Sequence, residues 1–218
     1  MPTETRLLAG EAGAIEVMID RPEGASRGVA LVAHPHPLFG GTADNKVVQT
    51  LSRALVLLGY TALRPNFRGV GQSEGQFDTG NGETVDLLAV LEAFFDDAKG
   101  EVVLAGFSFG AFVQTRVADA LQQRGTPAKA IVLVGLAVTN FTPSVVPENT
   151  LLIHGEEDDT VPLSAVLDWA RPHDLAVTVV PGADHFFHRR LMIIKRLVLA
   201  SFTGRLQPQA LGQHASEQ

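Results

Sequence analysis

The sequence predicts an α/β fold: a mainly parallel, twisted sheet with helices on both faces. Three observations carry that expectation. Short runs rich in apolar and β-branched residues recur at 28–33, 61–64, 102–105, 130–138, 151–153 and 176–180, the composition of strands buried on both faces. Between them the apolar residues switch to spacings of three and four, the period of an amphipathic helix. Strands and helices that alternate at this rhythm are joined by right-handed crossovers, which lay the strands parallel.

Taken in order, the first strand is 14–20, where Ile15, Val17 and Ile19 alternate with Glu16, Met18 and Asp20 as in a half-exposed strand at a sheet edge. The run 28–33 leads into His-Pro-His-Pro-Leu-Phe-Gly-Gly at 34–41, where two prolines and two glycines forbid regular structure. Thr42 or Asp44 is then in place to cap a helix bearing Val47, Leu51, Leu55 and Leu58, closed by Gly59. After the 61–64 strand, the glycines of 69–75 imitate a dinucleotide fingerprint. No helix opens within them, and no acidic residue ends a strand about 20 residues on, so a nucleotide cofactor is not expected. A second helix is read over 84–97 from Val85, Leu88, Leu91 and Phe95, and a last one over 186–202 from Leu191, Ile194, Val198 and Phe202.

The 102–105 run stops at Gly106, and after Gly110 the apolar residues Val113, Val117 and Leu121 recur at helical spacing. Ser108 therefore sits on a very tight turn between a buried strand and a helix, where neighbours two residues away must pass close to other backbone and only glycine fits. Its hydroxyl would project above the carboxyl edge of the sheet, facing the free N–H groups of a helix start. A serine hydroxyl needs a base to become a nucleophile, and that base must lie on a loop that follows a strand. His185, in the loop 181–187, qualifies. His173 precedes its strand, His188 falls in the last helix, His214 is in the tail, and His154, at the end of a strand, reads as a structural hydrogen-bonding residue.

Together these residues resemble the α/β-hydrolase superfamily, whose Gly-x-Ser-x-Gly nucleophile elbow matches 106–110. The segment 68–73, Arg-Gly-Val-Gly-Gln-Ser, is similar to one common in that superfamily, with Asn66 where many members carry Asp and Arg68 read as a structural donor. Residues 154–162 resemble its His-Gly-x-x-Asp-x-x-Val-Pro pattern, which places the acid on Asp158, with Asp159 as the alternative. The order Ser108, Asp158, His185 is the one stated for this fold. One oxyanion donor would be Phe109 N–H. The second would come from 34–41, where Pro35 and Pro37 have no N–H; resemblance to a His-Gly-x arrangement favours His36, with Leu38 as the alternative and Pro35 standing where glycine is usual.

The resemblance implies a serine hydrolase that needs no cofactor and no metal, cleaving an ester or related acyl bond of a small molecule through an acyl-Ser108 intermediate. Thioester or amide cleavage, acyl transfer, and a binding protein that keeps the fold without catalysis are the competing functions. Activity should rise with pH as His185 loses its proton. Only 139–149 separates the strands near 138 and 151, too little for a cap domain, so the pocket should be shallow and walled by Leu38, Phe39, Phe109, Phe141 and Phe186.

Length and composition agree with this picture. The 218 residues, 45% hydrophobic, suit a single domain over 1–218 with its core at about 14–203 and a loose polar tail at 204–218. A net charge of −7 without a basic run disfavours nucleic acid and anionic membranes as partners. The absence of cysteine removes disulfides, thiolate metal sites and a cysteine nucleophile. Glu4, Arg6 and Glu11 leave no apolar signal core near the start, and Asn140, Pro143 and Pro147 break the longest uncharged stretch, so no membrane span and a cytoplasmic address are expected. Oligomeric state has no signal in the sequence.

Overall fold

The apolar runs become strands β3 (Val29–Ala33), β4 (Thr61–Pro65), β5 (Val102–Phe107), β6 (Ala130–Val134), β7 (Leu151–Gly155) and β8 (Val177–Val180), preceded by β1 (Glu4–Gly10) and β2 (Gly13–Asp20). In this computed structural model, which describes residues 3–94, 96 and 100–203, they form one eight-stranded sheet in the order β1-β2-β4-β3-β5-β6-β7-β8. β3 to β8 run parallel to one another; β1 pairs antiparallel with β2, and β2 antiparallel with β4. The helices are α1 (Lys46–Leu57), α2 (Asn81–Ala93), α3 (Phe109–Gln123), α4 (Leu163–Ala170) and α5 (Leu191–Thr203).

Alternate side chains of the central strands feed two separate cores. From β5, Val103, Ala105 and Phe107 pack with Val48 and Leu51 of α1 and Ile194 and Val198 of α5. Leu104 packs on the other face with Leu87 and Leu91 of α2, Val113 and Val117 of α3, and Val166 of α4. Burial on both faces is why these strands read as continuous apolar runs. The expected fold class therefore holds. Among the described residues no cap domain is present, since residues 135–150 between β6 and β7 contain neither helix nor strand. Among the described residues, no helix is long and apolar enough to cross a membrane.

The structure corrects several sequence expectations. β2 is not the sheet edge: β1 lies outside it, held by seven register pairs across the turn between Gly10 and Gly13. The α1 cap is Asn45, whose Oδ1 accepts from Val47 N–H (2.9 Å) and Val48 N–H (3.5 Å), while Thr42 Oγ1 accepts from Asp44 N–H. α2 starts earlier than expected because the buried Glu83 carboxylate accepts from Asp78 N–H (2.9 Å) and Gly80 N–H (2.8 Å). Its buried face holds Leu87, Leu88, Val90 and Leu91, with Val85 exposed; Phe95 lies outside the described residues. α5 starts at Leu191 rather than 186, because Phe187 and Arg189 adopt left-handed backbone, at φ 54° and 61°. The 130–138 run ends as a strand at Val134, where Gly135 turns the chain with φ 56°. The tail 204–218 and His214 within it lie outside the described residues.

Candidate active site

Ser108 occupies the turn between β5 and α3 at φ 56°, ψ −118°, a backbone region that costs a non-glycine residue of order 1–3 kcal/mol and persists only where packing enforces it. Enforcement comes from its own N–H donating to Val134 O (2.9 Å) and its carbonyl accepting from Phe112 N–H (3.2 Å). The flanking glycines are required by close approach. A Cβ on Gly106 would lie 2.5 Å from Gly110 O, and one on Gly110 would overlap the carbonyl oxygens of Ala33 and His34. The elbow is thus pressed against the end of β3.

His185 stands on the loop after β8, its Nε2 3.0 Å from Ser108 Oγ and its Nδ1 2.7 Å from Asp158 Oδ2. A carboxylate can only accept, so Nδ1 carries the proton and Nε2 is the acceptor for the serine hydroxyl. All three residues are buried, Ser108 retaining 8% exposure. Asp158 is itself fixed: Oδ1 accepts from Thr160 N–H (3.0 Å) and Val161 N–H (2.7 Å). The alternative acid, Asp159, is exposed and reaches only Thr160 Oγ1, at 3.4 Å. The two loops that bring aspartate and histidine together approach so closely that a Cβ on Gly155 would overlap Ala183 O. Phe107 and Phe186 pack on the His185 ring, with centroids 4.9 and 5.2 Å away.

His154 is buried and donates from Nε2 to Val161 O (2.8 Å), with Asp158 Oδ2 3.4 Å away; its Nδ1 has no partner among the described residues. Burial lowers its pKa, against the opposing pull of the Val161 carbonyl and Asp158, and its ring braces the acid loop through the Val161 carbonyl. His188 does not lie in the last helix. It sits on the turn before α5, exposed, with Nδ1 2.6 Å from Asp184 Oδ2. His173 stacks edge-on against Trp169, away from Ser108. Arg68 is a structural donor, bidentate to Asp86 at 2.6 and 3.0 Å, and Asn66 bridges Glu16 and Ala43 N–H.

In the loop 34–41, Leu38 N–H donates to His36 Nδ1 (3.2 Å), Phe39 N–H and Gly41 N–H to His36 O, and Gly40 N–H to Pro37 O. The N–H groups of His36 and Phe109 have no acceptor among the described residues, and their rings lie 5.0 Å apart. Leu38, Phe39 and Phe186 are open at the surface, 68%, 86% and 48% exposed. Phe141 is partly buried and stacks on Phe112, 4.8 Å between centroids. The Phe109 ring is a correction: at 1% exposure it belongs to the core between Phe67, Phe77 and Phe112, leaving only its N–H for the site. Among the described residues, no group of three His, Asp or Glu side chains is arranged to hold a metal ion.

From the sequence, one buried residue of this region is only a possible backbone donor, with no role for its side chain. His34 accepts Phe67 N–H at Nε2 (2.9 Å) and lies 2.7 Å from Pro35 O through Nδ1. Burial lowers its pKa from 6.5 to about 4, opposed by the Pro35 carbonyl. Burial also lowers His36, opposed by the charge of Glu83. A histidine directly after a buried strand was the available signal.

A mainly parallel sheet with a serine on a strand-turn-helix elbow defines an α/β serine hydrolase. Within that superfamily the chain belongs to the X-Pro dipeptidyl-peptidase (S15) family, whose profile matches residues 13–141. It is 33% identical over 204 residues to the uncharacterized protein RP471 of Rickettsia prowazekii, covering 82% of this chain and 79% of that one. Among solved structures it resembles an alpha-beta serine hydrolase homologue from Coxiella burnetii, with 38% identity, 92% and 97% of the two chains covered and a TM-score of 0.81. It also resembles XC6422 from Xanthomonas campestris, described as a serine hydrolase without lid, with 34% identity, 96% and 98% covered and a TM-score of 0.83.

Proposed function

We propose that this hydrolase cleaves an ester or related acyl bond of a small molecule through an acyl-Ser108 intermediate. The supporting observation is the hydrogen-bonded line from Asp158 through His185 to Ser108. As Ser108 Oγ attacks the substrate carbonyl, His185 Nε2 takes its proton, and Asp158 offsets the imidazolium charge while holding the ring in place. The oxyanion is received by the N–H groups of Phe109 and His36, which have no acceptor among the described residues; Leu38 is disfavoured because its N–H is engaged by the His36 ring. The imidazolium then protonates the leaving alkoxide. Water, deprotonated by His185, attacks the acyl carbon and restores the serine.

The test is incubation with a fluorophosphonate followed by intact mass, together with hydrolysis of short p-nitrophenyl esters. One adduct mapped to Ser108, lost along with hydrolysis in Ser108→Ala, is expected; folded protein with neither adduct nor turnover would refute the proposal. A second reading, release of X-Pro dipeptides, is favoured by the description of the family to which residues 13–141 belong. X-Pro p-nitroanilides run beside the esters separate the two.

A further inference from the structure

We propose that His34 is a positioning residue for the second oxyanion donor: clamped between Phe67 N–H and the Pro35 carbonyl, its ring fixes the Pro35–His36 peptide with His36 N–H turned toward Ser108. The inference rests on the acyl-serine reading. It begins with tautomer. A backbone N–H can only donate, so His34 Nε2, 2.9 Å from Phe67 N, must carry a lone pair, and the ring proton is therefore on Nδ1. That proton points at Pro35 O, 2.7 Å away. Both nitrogens of a fully buried neutral ring are used, and they tie the loop after β3 to the loop after β4.

The consequence follows from peptide geometry. The described peptide bonds are trans, and a trans unit points its C=O and N–H in opposite directions, so drawing the Pro35 carbonyl onto His34 turns His36 N–H to the opposite side. The return of the chain reinforces this, because a Cβ on Gly41 would overlap Pro35 O. From Pro35 to Gly41 the other donors are absent or spent: Pro35 and Pro37 have none, and those of Leu38, Phe39, Gly40 and Gly41 stay within the loop. The elbow abuts this stretch, as the closeness of Gly110 to the carbonyls of Ala33 and His34 requires. A cationic ring would lose the lone pair that Phe67 needs, and the depression of the His34 pKa to about 4 keeps the clamp neutral over ordinary working pH.

The experiment is a mutant cycle on the short-ester reaction. His36→Pro removes the donor, and proline suits the His36 φ of −56°; His36→Ala keeps the donor and serves as its reference. Relative to His36→Ala, kcat in His36→Pro should fall about 10²-fold or more, as loss of one oxyanion donor does. His34→Leu should lower kcat with little change in KM and weaken a boronic acid transition-state analogue by a similar factor. His34→Asn, which offers a donor near Nδ1, should recover part of the loss. In the His36→Pro background, His34→Leu should cost little more. Multiplicative losses in the double variant, or equal activity of His36→Pro and His36→Ala, would overturn the proposal, and the second comparison stands even where His34→Leu does not fold. Wild-type protein without turnover or adduct would instead overturn the acyl-serine reading.

Discussion

At the scale of single residues, the arrangement around Asp158 makes the sharpest prediction. Its carboxylate is buried, with one oxygen on two backbone N–H groups and the other on His185. An asparagine there fits the space but offers the His185 Nδ1–H an amide in place of a carboxylate, so Asp158→Asn should stay folded and lose roughly 10⁴-fold in kcat. Asp159→Asn should stay within about threefold, since that side chain makes no contact with His185 or Ser108 at hydrogen-bonding distance; comparable losses in both would dissolve the assignment. His34 predicts a pH dependence of stability. Its folded pKa, about 4, lies below the ordinary 6.5, so the unfolded chain binds its proton first as pH falls. The stabilisation is complete above pH 6.5 and is lost progressively toward pH 4, in total about 3 kcal/mol. Urea unfolding at pH 7 and 4.5 should register this, and His34→Leu should flatten the difference. That Ser108 and His185 meet was legible in the sequence because both stand on turns at the carboxyl ends of strands. The clamp at His34 was not, because its partner Phe67 is 33 positions away and becomes a neighbour only through sheet pairing.

At the scale of elements, helix ends were harder to read than helix interiors. Thr42, Asp44 and Asn45 are all good capping residues in sequence, and only the backbone direction selects Asn45. Asn45→Ala should cost about 1 kcal/mol, a drop of about 2–4 °C in Tm. Asp44→Ala should cost no more than about 0.5 kcal/mol, because its side chain is largely exposed and its pairing with Arg64 spans 3.5 Å; a larger loss from Asp44 would contradict the capping geometry. β1 escaped the sequence because Glu4, Thr5 and Arg6 do not alternate with apolar residues, and its strand character comes from pairing with β2. The early start read for α5 had a similar cause: Phe186 and Phe187 look like helical apolar residues, but φ 54° at Phe187 puts a left-handed turn before the helix. The strand-turn-helix elbow at Ser108 was legible because its glycines answer a local steric demand. Gly110→Ala should accordingly yield little folded protein, the new methyl meeting main chain that cannot move aside.

At the scale of the molecule, substrate access follows from what the connections leave out. Residues 135–150, where a cap would be inserted, form an irregular segment between β6 and β7 with no element to fold over Ser108. Leu38, Phe39 and Phe186 remain open to solvent at the same edge of the sheet. A lid that must swing aside gives an enzyme its rate jump at an oil–water surface, and the described residues include no such part to move. Rates on a short p-nitrophenyl ester series should therefore vary smoothly through the concentration at which micelles form, without a lag. Discrimination among acyl lengths should also be modest, since an enclosed hydrophobic pocket gains only about 1–3 kcal/mol per methylene and an open one less. Initial rates measured across that concentration decide the matter: an abrupt rise at micelle formation would mean that some segment closes over Ser108 in solution, and the open edge formed by Leu38, Phe39 and Phe186 would not be the resting state.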